Sequence, residues 1–221
     1  MNGTVASVVT PPALSADPRC PHLIFHDVFG AAWVAALLNY VADRQGDFQP
    51  GSMHNRETGE LLVDKRIRDS VYLRDLGEFA VPFKAAVSAI VRPALQALHL
   101  IEPQVEPAEF ELTAYGDGAH IGEHIDTRGH TSRSVRVLSC VYYFAATPRR
   151  FSGGELRLFG LPKFAAGGGA SPKASFVDIE PETDSLVVFP SWLRHQVLPV
   201  RVPSRRWADA RFTVNCWIHR S

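Results

Sequence analysis

Cysteine is scarce in this chain. Cys20, Cys140 and Cys216 are odd in number and show no CxxC spacing, which excludes a disulfide framework and a cysteine-zinc site and fits a reducing cytoplasm. Charge of either sign is not in excess: Lys+Arg and Asp+Glu both total 23, for a formal net charge of zero. The broad basic footprint of a nucleic-acid binder is therefore missing. Long apolar runs are also missing, since no stretch approaches the roughly 18 apolar residues of a membrane span. The N-terminus, MNGTVASVVTPPALSADPRC, has no basic n-region and no long apolar core. The expectation is a cytoplasmic protein with no nucleic-acid partner and no membrane partner. The oligomeric state is not readable.

What is present is enough apolar residue for one sizeable core: 46% of 221 residues are hydrophobic, which a single domain accommodates. Residues 1–20, rich in Pro, Ala, Ser and Thr, read as a loose leader, and 21–221 as one domain. Its first part, 21–105, carries a short strand at His22–Phe25 and a helix through Trp33, Leu37, Leu38 and Val41 that ends at Gly46. A polar loop follows at 46–60, then an extended Val71-Tyr72-Leu73. A second helix runs from about Leu76 to Leu100, with Phe83, Val87, Ile90, Val91, Leu95 and Leu98 on one face, Pro82 near its start and Pro93 as a kink.

The second part, 106–221, changes character. Short β-branched and aromatic runs separated by Gly, Pro and Ser predict strands at 110–115, 121–126, 134–145, 154–159, 175–180, 185–189, 195–201 and 210–218. Helices followed by strands give an α+β layout in which two helices cover one face of a largely antiparallel double-sheet barrel. The segments 161–174 and 202–209 read as mobile loops able to lie over a barrel mouth. The Ser-Gly-Gly-Glu run at 152–155 reads as a hairpin turn, and Cys140 and Cys216 as buried strand residues.

Chemistry concentrates at Ile121-Gly122-Glu123-His124-Ile125-Asp126. In a strand His124 and Asp126 project to one face while Ile125 points the other way into packing. Brought together with His195, they would form a facial set of two imidazoles and one carboxylate, which suits non-haem Fe(II) and leaves positions open for substrates. A histidine such as His195, taken alone, is ordinarily a hydrogen-bonded core or surface residue.

The second half as a whole resembles the Fe(II)- and 2-oxoglutarate-dependent oxygenases, in their prolyl-4-hydroxylase-like branch, over residues 110–218. The resemblance is carried, in order, by Tyr115 with Gly-Asp-Gly, His124-Ile-Asp126, Cys140-Val-Tyr-Tyr143, Phe151-Ser-Gly-Gly-Glu-Leu-Arg-Leu-Phe159, Phe176-Val-Asp-Ile-Glu-Pro181, Asp184-Ser-Leu-Val-Val-Phe189, His195-Gln-Val-Leu-Pro-Val200 and Arg211-Phe-Thr-Val-Asn-Cys-Trp217. It implies a double-stranded β-helix of the jelly-roll, cupin-like kind. It also implies Fe(II), 2-oxoglutarate as co-substrate and O2, with ascorbate as a stimulant. The implied activity is hydroxylation of an aliphatic C–H of an amino acid, peptide or other small molecule, with decarboxylation of 2-oxoglutarate to succinate. The implied metal ligands, and catalytic residues, are His124, Asp126 and His195.

By the same resemblance Arg211, Tyr143 and Asn215 hold 2-oxoglutarate, and Tyr115, Arg128 and Arg136 face the substrate, with Arg133 in the same loop as Arg128. A planar guanidinium with paired donors suits the distal carboxylate of 2-oxoglutarate. Arg211 follows His195 by 16 positions, farther than in those relatives, so 202–209 must be looped out. Arg201, Arg205 and Arg206 compete for the role; Arg211 is preferred because Arg-Phe-Thr-Val-Asn-Cys-Trp alternates as a strand.

Two other classes remain. His120-Ile-Gly-Glu123-His124 has the H-x-x-E-H spacing of zinc peptidases. That chemistry needs a helix, which Gly116, Gly118, Gly122 and the β-branched Ile121 and Ile125 oppose. The other is a non-catalytic ligand-binding barrel, which the full ligand set disfavours. A small residue at Asp126 would have pointed to a halogenase, and the carboxylate favours hydroxylation.

Overall fold

The computed structural model describes residues 19–54, 61–102, 104–127, 136–161 and 175–220. Residues 1–18 of the expected leader, 55–60 and 162–174 of two expected loops, and Arg128 and Arg133 lie outside the described residues.

Two sheets face each other. The larger has seven strands in the order Leu23–Phe25, Ser185–Pro190, Arg136–Phe144, Arg211–Arg220, Val105–Tyr115, Val71–Leu73 and Gln49–Pro50; the smaller has five, Phe176–Ile179, Leu156–Phe159, His195–Val197, His120–His124 and Arg68–Asp69. Every neighbouring pair is antiparallel. The α+β barrel expected from the strand pattern is the fold observed.

Helices α1 (Ala31–Asp43) and α2 (Ala80–Ala97) pack on the outer face of the larger sheet. Buried Phe83, Val87, Ile90, Val91, Ala94 and Leu95 of α2 recur at helical spacing. They join Phe212, Val214, Cys216 and Ile218 of the last strand in one core cluster. Pro82 sits in the first turn of α2, where its missing N–H costs nothing, and Pro93 falls inside the helix without ending it. The start of α1 is held from across the molecule. The carboxylate of Asp184 accepts from the N–H groups of Phe29 and Gly30 at 2.9 and 2.7 Å and from the Tyr142 hydroxyl at 2.8 Å, placing negative charge where the helix dipole favours it. Asp184 adopts a positive φ of 63° to do so, a conformation Asp tolerates better than most residues.

Sequence and structure part company in several places, among them the expected polar loop 46–60, which holds the short strands Gln49–Pro50 and Met53–His54. The expected strand 121–126 stops at His124, because the N–H groups of Asp126 and Thr127 turn to the carbonyl of Ser191. Ile125 is consequently 42% exposed rather than packed. The expected strand 195–201 breaks into His195–Val197 and Val200–Arg201, the latter pairing with Ser152–Gly153. Loop 202–209 is docked: the Trp207 indole donates to the Val41 carbonyl at 3.0 Å and packs against Phe48 and Phe212, while Asp117 accepts from the Val202 N–H at 2.9 Å. Finally, Arg68–Asp69 forms a strand, unanticipated in the sequence, on the edge beside His120–His124.

Candidate active site

Both histidines arrive on neighbouring strands of the smaller sheet, with His195 directly opposite His124. Their rings stand 4.2 Å apart between centroids. Each ring is oriented by its own backbone: Nδ1 of His124 donates to the Gly122 carbonyl at 2.9 Å, and Nδ1 of His195 to the Leu193 carbonyl at 2.8 Å. That leaves each Nε2 as the lone-pair atom. Both Nε2 atoms point at Asp126, at 3.6 Å from Oδ1 for His124 and 3.6 Å from Oδ2 for His195. The donor atoms of the three residues lie within 4.8 Å of one another.

The protonation states suit a cation. Burial, with the neighbouring His195, lowers the His124 imidazole to about 4, so it is neutral at pH 7. Burial pushes the Asp126 carboxyl up, but His195, His124, Ser139 and Trp217 outweigh it and hold the group below the usual carboxylate range. Ser139 Oγ donates to Asp126 Oδ2 at 2.6 Å, so Ser191, 3.0 Å from Ser139, must donate in turn. Two imidazoles whose Nδ1 atoms are taken up by backbone carbonyls, with one carboxylate held by Ser139, fit a divalent iron.

A second feature lies deeper. Arg211 is 1% exposed, and among the described residues no carboxylate pairs with it. Its Nε and Nη1 are buried without hydrogen-bond partners, as are the Tyr143 hydroxyl and Thr213 Oγ1. The guanidinium stands 4.4 Å over the Tyr115 ring and 5.0 Å from that of Tyr143. Leaving a buried guanidinium unpaired costs several kcal/mol, so these orphaned donors call for a small anion, and a terminal carboxylate fits them. Burial raises both phenols, Tyr143 to about 12, against the opposing effect of Arg211, so both stay neutral donors.

The Gly153-Gly154 pair, which leaves the short strand Ser152–Gly153 and does not close the expected hairpin, shapes this pocket. A Cβ at Gly154, whose φ is 75°, would stand 2.6 Å from Arg211 Cδ, and one at Gly153, whose φ is 70°, 2.3 Å from the Pro199 carbonyl oxygen. The 152–155 run is thus a wall against which Arg211 lies, a role the sequence pattern did not disclose.

A match to the model of the 2OG-Fe(II) oxygenase superfamily covers residues 110–219, which contain all of these groups. The chain belongs to the 2OG-Fe(II) oxygenase superfamily. Membership implies Fe(II), 2-oxoglutarate and O2. An uncharacterised PKHD-type hydroxylase of Synechocystis sp. is 36% identical over 143 residues, which are 61% of this chain and 46% of that one. The chain thus spans less than half the length of that curated relative. A Pseudomonas putida prolyl-4-hydroxylase structure is 25% identical, with a TM-score of 0.60 over 90% of this chain and 92% of the other. A Trichoplax adhaerens prolyl hydroxylase, solved with a hypoxia inducible factor peptide fragment, shares the fold: TM-score 0.59, 19% identity, 90% and 83% covered.

Other sequence candidates are placed differently. Asn215 donates to Thr113 Oγ1 at 2.9 Å, on the same face as Arg211. Arg136 is committed to Glu109, through Nε at 3.2 Å and through Nη2, and lies 4.2 Å over Trp217. Arg201, Arg205 and Arg206 are exposed, and Arg205 faces Asp117, so none enters the pocket. His120 is on a strand and bonds to backbone carbonyls, while Glu123 pairs with Arg194 at the surface. The helix a zinc peptidase needs is not formed. Ser139, Ser191 and Arg68 were not singled out in the sequence: serines carry no distinctive spacing, and Arg68 lies in a two-residue strand.

Proposed function

We propose that this chain is an Fe(II)- and 2-oxoglutarate-dependent dioxygenase that hydroxylates an aliphatic C–H of an amino acid, peptide or other small molecule. One observation carries the reading: a buried, unpaired Arg211 pocket beside two tautomer-fixed histidines and a carboxylate. His124, Asp126 and His195 would hold the iron, and Arg211 with Tyr143 would hold the distal carboxylate of 2-oxoglutarate. When bound, iron, 2-oxoglutarate and O2 supply the oxidising power, with 2-oxoglutarate decarboxylated to succinate. The chain's own part is positioning. The carbonyls of Gly122 and Leu193 aim the imidazoles, Ser139 steadies the carboxylate, and Arg211 with its two tyrosines gives a small dicarboxylate one direction in which to lie. We assign residues 21–221 to one domain and the protein to the cytoplasm, where its three buried cysteines, none of them in a disulfide, stay reduced.

The test is anaerobic addition of Fe(II) and 2-oxoglutarate to metal-free protein, monitoring the weak visible charge-transfer band of the chelate, with His124→Ala as control. A band that needs both additions and disappears in the variant is the expected result. Its absence, with tight zinc binding instead, would overturn the assignment.

A further inference from the structure

Arg68 enters the barrel from the edge strand, where it is paired opposite Ile121 of the strand that carries His124. Its Nη2 donates at 2.8 Å to Oε1 of Glu111, which sits on the inner face of the Val105–Tyr115 strand, so the pair bridges the two sheets across the interior. Side-chain exposures are 18% for Arg68 and 10% for Glu111. Arg68 stands opposite Ile121, three residues before His124, and Glu111 shares a strand face with Thr113 and Tyr115, whose ring lies 4.4 Å from the Arg211 guanidinium.

Each partner keeps capacity. Glu111 Oε1 also accepts from Thr113 at 3.2 Å, which in turn accepts from Asn215; Oε2 is engaged by no bond among the described residues. Arg68 donates from Nε to Ser70 at 3.0 Å, and Nη1 makes only a long 3.4 Å contact with the Ser52 carbonyl. The wall beside the metal site therefore presents one anionic and one cationic edge, side by side and mutually neutral. Arg136, whose Nη1 lies 3.4 Å from the Asp126 carbonyl, is paired with Glu109, so neither Arg68 nor Arg136 is left uncompensated, and Arg211, which the 2-oxoglutarate reading uses, is the inward arginine without a carboxylate among the described residues. A purely apolar ring would strand the open valences of the pair.

We infer that the Arg68–Glu111 pair is the substrate-recognition element and that it takes the zwitterionic head of a free α-amino acid, carboxylate on Arg68 and ammonium on Glu111 Oε2. Charge-assisted hydrogen bonds to both ends favour this head over a neutral peptide amide. The inference rests on the oxygenase reading and narrows its substrate class.

The experiment uses the protein loaded with Fe(II) and 2-oxoglutarate, after the chelate band has been confirmed. A panel of proteinogenic L-amino acids, each beside its N-acetyl, C-amide derivative, and short prolyl peptides are screened by substrate-stimulated succinate release and mass gain. The expected result is stimulation by at least one free amino acid and at least a tenfold weaker response to its capped form. Glu111→Gln should then raise KM for that amino acid about tenfold or more while the chelate band still forms. A capped amide or prolyl peptide that equals or exceeds every free amino acid would overturn the inference. So would a full band with no response to any free amino acid, or an unchanged KM in Glu111→Gln. Absence of the band would instead sink the oxygenase reading itself.

Discussion

The last strand, Arg211–Arg220, has two faces that are both buried and behave as different materials. Toward the helices lie Phe212, Val214, Cys216 and Ile218, each 0–1% exposed and packed in the main core. Toward the interior lie Arg211 and Thr213, at 1% and 0%, with polar atoms that find no partner. Burial alone does not separate structure from site here. The difference is that one face completes its own packing and the other keeps buried polar atoms without a partner among the described residues.

The largest effect that would break this contrast comes from Arg211→Met. It should weaken 2-oxoglutarate binding by about 100-fold or more, the cost of leaving a buried carboxylate without its charged partner. It should also raise the melting temperature of the ligand-free protein, because an unpaired buried charge is removed. A fall in both quantities would show that the guanidinium is a structural group. Phe212→Ala, one residue away, should do the reverse. It should cost roughly 3–5 kcal/mol of stability by denaturant titration, while the chelate still forms below the unfolding range. Gly154→Ala should displace Arg211 and strain a turn at positive φ, weakening 2-oxoglutarate binding about tenfold and costing about 1 kcal/mol. Unchanged binding would remove the glycine from the pocket wall.

The smallest effect is one of pH. His124 falls from the ordinary 6.5 to about 4 because burial disfavours its cation, so the unfolded chain takes up a proton before the folded one does. Stability of the metal-free protein is then full above pH 6.5 and is lost as pH falls through about 4. His124→Gln should flatten that part of the stability profile; an unaltered slope would show that the imidazole is not the group responsible.

These contrasts also show what the sequence discloses. Strand alternation put Arg211 in phase with Thr213 and Asn215, because period-2 geometry is local, whereas Asp126 meets His124 through the turn to Ser191 and not through the alternation that grouped them in the sequence. The two supporting helices were legible because apolar spacing in α2 is regular from Phe83 to Leu95. Pairing across the barrel was not legible. Arg68 meets Glu111 43 positions away, and Asp184 caps a helix more than 150 residues before it, through contacts for which no periodicity exists. The position of Ile125 was misjudged because strand alternation was extended past His124, where the backbone had already turned to Ser191. Loop 202–209 was legible as an insertion, while its docking through Trp207 depended on Val41, a residue of the opposite end of the chain.

The carbonyl that orients each histidine belongs to the residue two places before it, Gly122 for His124 and Leu193 for His195. Each histidine thus carries its own alignment jig within a three-residue segment, and the larger sheet contributes Ser139 and Trp217 beside Asp126. Such a site is modular: two tripeptides on adjacent antiparallel strands, plus one carboxylate just past a strand end, constitute the minimum that a designer would need to transplant it into another barrel.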